Sequence, residues 1–313
     1  MKKLNVYVAS LFVFTIFLNA CLRVFAVPTG ETEQVQRKQQ LVPKAEQAYS
    51  LPDNFDERDT NTARGKAILL EIATGKVSAG EMEDALHILG FFALEQDTQQ
   101  QPPIQHVEFY SPAIYYNVNH REWYVIGGGR WVDSSSYFEG MPTETEIGGY
   151  DIVGMEFLNA GKSFSQVSGK RSFGAYTNEA GKMVETHNLM PGATRGQGCL
   201  FAFQDLLART GADGSWRLQG ERFAAIVVYG SDFADVPHGV PKVYFAHTGR
   251  DTYIQDFQFG KEGLQAVFMS ANRSKSDVAG FDNTHNSNIR PKNAAVGRIV
   301  ILGLTDLCLV IFS

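Results

Sequence analysis

Gly196-Gln197-Gly198-Cys199-Leu200-Phe201-Ala202-Phe203-Gln204-Asp205-Leu206-Leu207 is the stretch whose reading decides the fold. Glycines stop where the cysteine begins. Leu200, Phe203, Leu206 and Leu207 then recur at helical spacing, which predicts a helix over 199–209 with Gly211 as its stop. A cysteine at a helix start meets unpaired N–H groups and the positive end of the helix dipole, and both stabilise a thiolate. Thiolate is the nucleophilic form, so this reading makes Cys199 the candidate reactive atom. The competing reading is an inert cysteine filling a core.

Working outward, 222–230 is a strongly apolar strand, followed by the loop Pro237-His238-Gly239-Val240-Pro241. A second strand is predicted over 242–247, a turn at Gly249-Arg250-Asp251, and a partner strand over 252–256. The expectation is a helix feeding a three-stranded antiparallel segment. Cys199, His238 and Asp256 occur in the chain order of a nucleophile, a base and an acid that orients the base. His247 is the rival base, nine residues before Asp256, and Pro241 places His238 in a loop rather than on the strand. Both histidines also fit as hydrogen-bonded core or surface residues.

These residues resemble the core of papain-like and transglutaminase-like cysteine enzymes: Gly198-Cys199-Leu200-Phe201-Ala202, the strand ending Val228-Tyr229-Gly230, His238, and Tyr253-Ile254-Gln255-Asp256-Phe257. The nearest likeness is to secreted bacterial protein-glutaminases, over about residues 196–260. The resemblance implies an α+β fold whose Cys-bearing helix packs on an antiparallel sheet, behind a helical and β-rich N-terminal region. It implies attack by Cys199 on a carboxamide or peptide carbonyl, a thioester acyl-enzyme, and hydrolysis by water. His238 would act as base and then acid, and Asp256 would orient it. The Cys199 backbone N–H would serve as one oxyanion donor and Gln197 as a candidate second. Two other readings stand beside this one: a non-catalytic adhesin or effector module, and a transglutaminase-type transferase with a lysine amine as acceptor.

The N-terminus reads as an export signal over 1–26. Lys2 and Lys3 precede an apolar run, and Val24-Phe25-Ala26 offers a cleavage site. The expected location is secreted or periplasmic, with lipidation at Cys21 as the alternative. Cleavage takes Lys2, Lys3 and Arg23 and no acid, so the net charge moves from −6 to −9. That balance disfavours nucleic acid as a partner and favours a protein or peptide. No membrane span is expected apart from the signal, because the closing apolar run carries Arg298 and Asp306. The two cysteines left after cleavage, Cys199 and Cys308, do not make a disulfide framework, although their pairing is one alternative fate for the thiol.

The remaining map follows composition. Residues 27–61 are polar and read as a tether or pro-segment. Residues 62–98 read as a helical pair: one helix over 63–74, and a second opened by the capping box Ser78-Ala79-Gly80-Glu81 and running to Ala93. Residues 105–190 read as a β-rich accessory or pro-region containing a hairpin within 107–137. Its turn signals are Asn117-Val118-Asn119 and Gly127-Gly128-Gly129. The aromatics Tyr115, Tyr116, Trp123, Tyr124 and Trp131 read as core rather than as a binding face. Residues 191–313 read as the catalytic domain. No cofactor and no metal site is expected: Asp232 and Asp235 with His238, and Asp282 with His285, read as solvated loop residues. Ala160-Gly161-Lys162-Ser163 lacks the leading glycine of a phosphate loop, with Glu156 in its place.

Overall fold

The structure, a computed structural model, describes residues 29–95, 107–132, 145–158, 171–188, 198–210, 215–247, 252–260 and 263–270. Three helices come first: α1 (Thr29–Ala48), α2 (Phe55–Ala73) and α3 (Glu83–Ile88). Twelve described strands follow. They are β1 (Phe91–Ala93), β2 (Val107–Asn117), β3 (Glu122–Trp131), β4 (Thr145–Leu158), β5 (Phe173–Thr177) and β6 (Met183–Thr186). Then come β7 (Gly198–Thr210), β8 (Ser215–Gln219), β9 (Arg222–Tyr229), β10 (Val240–Ala246), β11 (Thr252–Gly260) and β12 (Gly263–Ser270). The fold is therefore α+β, as expected.

All described pairings are antiparallel. Six strands form one sheet in the order β1-β2-β3-β9-β5-β6, four form a second in the order β10-β4-β7-β8, and β11 pairs with β12. Alternation explains the layers. Trp123, Val125, Phe223, Ala225 and Val227 face the second sheet, where they pack with Val153, Met155, Phe157, Phe201, Phe203, Val243 and Phe245. Their neighbours Tyr124, Ile126, Ala224, Ile226 and Val228 face the other way and pack under Leu69, Leu70 and Ala73 of α2 and Leu86 of α3. A strand buried on both faces reads as an unbroken apolar run, which is why 222–229 looks so hydrophobic. Tyr115, Tyr116, Trp123, Tyr124 and Trp131 are all buried, in accord with their reading as core.

The decisive stretch is not a helix. Residues 198–210 are strand β7, central in its sheet between β4 and β8. Cys199, Phe201 and Phe203 line the intersheet core, while Leu200 and Ala202 are buried on the opposite face. With both faces apolar there is no alternation to betray the strand. Leu, Ala, Gln and Arg then supply the helix-favouring propensities that tertiary packing overrides.

Other expectations are corrected in the same way. Gly127-Gly128-Gly129 is not a turn but the interior of β3. A Cβ on Gly127 would strike Val243 and Met155 of the facing sheet; one on Gly128 would meet Ala73 O of α2 at 2.7 Å and Phe223 O. Glycine here lets three layers approach closely. The capping box at Ser78 forms, with Glu81 N donating to Ser78 Oγ (3.3 Å) and Ser78 N to Glu81 Oε2 (3.1 Å). The helix it opens ends before Ala93, because Gly90 turns the chain at φ +82° into β1. Helix α2 starts at Phe55, capped by Asn54, and α1 fills 29–48, so much of the supposed tether is ordered helix. The hairpin β2–β3 turns at 118–121, as the Asn117-Val118-Asn119 signal suggests.

The strands after Cys199 are also distributed differently. β9 lies between β3 and β5, β10 pairs with β4, and β11 pairs with β12, so 222–256 is not one three-stranded unit. Strands from 105–190 and from 191–313 are interleaved in both large sheets. Residues 1–28, including the signal pattern and Cys21, and Gln197, Asp282, His285 and Cys308 lie outside the described residues. Among the described residues no helix is long and apolar enough to cross a membrane.

Candidate functional site

Cys199 stands opposite Met155 on β4, and Met155 also faces Val243 on β10. It is 3 % exposed. The helix N–H groups and dipole that would lower its pKa are absent from a strand, so the physical reason for a thiolate at this position falls away.

His238 enters on the far side of Leu158, whose partner is Val240. Three residues of strand separate that level from Met155, about 10 Å along the strand at roughly 3.3–3.4 Å per residue. His247 follows the last residue of β10, and Ala246 pairs with Ile152. The separation from Met155 is at least three residues in the opposite direction, again about 10 Å. Cys199 thus sits midway along the sheet while the two histidines mark its opposite ends. Asp256 occupies β11 opposite Val267, beside a register shift at Ile254, and its side chain is outside the described set.

The His238 end is sealed by α1. Buried Lys38 reaches from that helix to donate to Phe233 O and to Val236 O (2.5 Å), with Nζ 4.1 Å from the centre of the Phe233 ring. Gln34 accepts from His238 N (3.3 Å) and donates to Gly239 O (3.5 Å), and Gln39 donates to Asp235 Oδ1 (3.2 Å). The His238 ring lies between Phe157 and Phe233, 5.3 Å from each, is 4 % exposed, and its Nδ1 has no hydrogen-bond partner among the described residues. Burial, helped by the Lys38 charge, pushes its pKa down to about 3, so at neutral pH it is an uncharged ring. Burial also lowers Lys38 to about 7, against the opposing pull of Asp235.

The His247 end carries a different group. On the core side of β4, β7 and β10, apolar rows finish in Asp151, Asp205 and His247. All three are buried, at 1 %, 2 % and 6 % exposure. His247 Nδ1 stands 3.1 Å from each Asp151 oxygen and 3.5 Å from Asp205 Oδ2. The Trp131 ring packs edge-on, 5.5 Å from the His247 ring. Gln204 donates to Asp205 Oδ1 at 3.4 Å and to Gly149 O at 3.1 Å, which steadies the carboxylate. One donor atom from each of the three groups lies within 4.8 Å of the others, a set able to hold a metal ion.

Sequence points to His247 but to neither aspartate. An acid continuing an apolar row, as in Phe201-x-Phe203-x-Asp205, is the signal for them, and it shows only when the segment is read as a strand. Comparison of the chain with protein-family models, with curated proteins and with solved structures finds no match.

Proposed function

We propose that this chain is a non-catalytic binding module that presents its outer surfaces to a protein or peptide partner, in an exported setting given the 1–26 pattern. One observation carries the reading. Cys199, His238 and His247, the described side chains that the thiol-hydrolase reading needs, are 3 %, 4 % and 6 % exposed, so an extended protein substrate has no access to them. Acidity supports a partner that is not a polyanion.

The thiol-hydrolase and transferase readings rest on the resemblance around Cys199, His238 and Asp256. Alkylation separates them from ours. Native protein treated with iodoacetamide between about pH 5 and 9 is expected to label Cys199 only after unfolding in denaturant. Rapid native labelling well below the ordinary thiol pKa of about 8.5 would indicate an activated thiolate. Ammonia release from a glutamine-containing protein that disappears in Cys199→Ala would establish the hydrolase and overturn the binding-module reading.

A further inference from the structure

We propose that Asp151, Asp205 and His247 form a buried three-ligand site for one divalent transition-metal ion of the zinc class, pinning three neighbouring strands at one end of the four-stranded sheet. The inference is independent of the binding-module reading. It starts from the crowding at one nitrogen: three carboxylate oxygens stand at 3.1, 3.1 and 3.5 Å from His247 Nδ1. A cation among them would meet a ring nitrogen and carboxylate oxygens together, the donor set of a first-row divalent metal.

The spacing fits such an ion. Zinc bonds to nitrogen and carboxylate oxygen of about 2.0–2.1 Å put neighbouring tetrahedral ligands roughly 3.3–3.4 Å apart. The two nitrogen-to-oxygen separations bracket this value, and the three donor atoms all lie within 4.8 Å of one another. The donor types narrow the metal. Imidazole with carboxylate suits zinc and its divalent neighbours, whereas calcium asks for six to eight oxygens and cuprous ion for sulfur.

Support around the donors is of the kind that orients metal ligands. Gln204 holds Asp205 Oδ1, leaving Oδ2 turned toward His247, and Trp131 packs on the imidazole. Each ligand comes from a different strand or its end, so the backbone register fixes the set before any ion arrives. All three groups are buried, and three protein donors leave a fourth tetrahedral position for water, the metal being bound in exchange for the Nδ1 proton.

The test uses the full chain, stripped with a chelator and titrated with zinc chloride and with cobalt chloride. One equivalent of zinc per chain and a rise in melting temperature are expected. Cobalt should give the intense visible bands of a low-coordinate site and quench tryptophan fluorescence, and Trp131→Phe should remove most of that quenching. Asp205→Asn is expected to weaken zinc by about tenfold or more. If Asp205→Asn does not fold, the cobalt spectrum and the Trp131-dependent quenching decide. Absence of zinc uptake by folded protein, or uptake with quenching that survives Trp131→Phe and with affinity unchanged in Asp205→Asn, would overturn the proposal.

Discussion

Lys38 shows what a single residue contributes. Its amine is buried under α1 with two backbone carbonyls as acceptors, and its pKa is lowered from the ordinary 10.5 to about 7 by loss of solvent. A base whose folded pKa is depressed is deprotonated in the native state while the unfolded chain still holds the proton. Stability therefore rises with pH between about 7 and 10.5, at no more than about 1.4 kcal/mol per pH unit. Below about pH 7 this contribution is level. His238 acts likewise between 6.5 and about 3, so stability falls as pH drops through that lower window. Lys38→Met is expected to flatten the alkaline rise and to keep most of the acidic fall, because burial is the larger cause of the His238 shift and the Lys38 charge the smaller, read as urea midpoints across pH. Asp235, Gln34 and Gln39 face the same loop, and of these only Asp235 is ionisable. An alkaline rise of undiminished slope in Lys38→Met would show that the titration belongs to another group. In the sequence Lys38 is one member of a polar run; where α1 docks makes it the most enclosed lysine among the described residues.

At the scale of elements, β3 and β7 are the informative pair. β3 holds three consecutive glycines inside a strand, and packing on both faces explains them. Gly128→Val is expected to cost about 3 kcal/mol, because the new side chain meets backbone oxygens of Ala73 and Phe223 that cannot step aside. Gly80 makes the contrast, since a methyl added there would have nothing within 4 Å. Gly80→Ala should be neutral or stabilise by up to about 1 kcal/mol. Denaturation midpoints of the two variants measure the difference, and equal midpoints would remove close layer approach as the reason for the glycines. β7 carries the opposite lesson. The turn signal at Asn117 and the Ser78–Glu81 box are readable because they are local hydrogen-bond chemistry. Strand β7 is not, because a strand covered on both faces loses its period of two, and its residues satisfy a helical stripe equally well.

For the whole molecule, the sheet order matters most. β9 lies between β3 and β5, and β4 between β10 and β7, so neither stretch of chain on either side of residue 190 owns a sheet. A fragment comprising 191–313 leaves β9 without both neighbours and β7 and β10 without β4. It is expected to stay unfolded by circular dichroism, while the intact chain melts in one cooperative transition. A folded 191–313 fragment would instead restore a division into accessory and catalytic parts. The same interleaving seals Cys199 in the intersheet core and sends the two histidines to opposite ends of a strand pair.

The sequence alone determined the mixed α+β class, the aromatic core, the β2–β3 hairpin, the strong strand at 222–229 and the cap at Ser78. Each depends on residues near one another in the chain, through propensity, turn chemistry and local hydrogen bonds. Tertiary structure decided that the cysteine segment is a strand and that three glycines are an interlayer contact. It also decided that Asp151, Asp205 and His247 meet. Those outcomes depend on which strands become neighbours and on what covers each face. Burial and register between residues far apart in the chain settle both, at an energy larger than any local preference written in the segment itself.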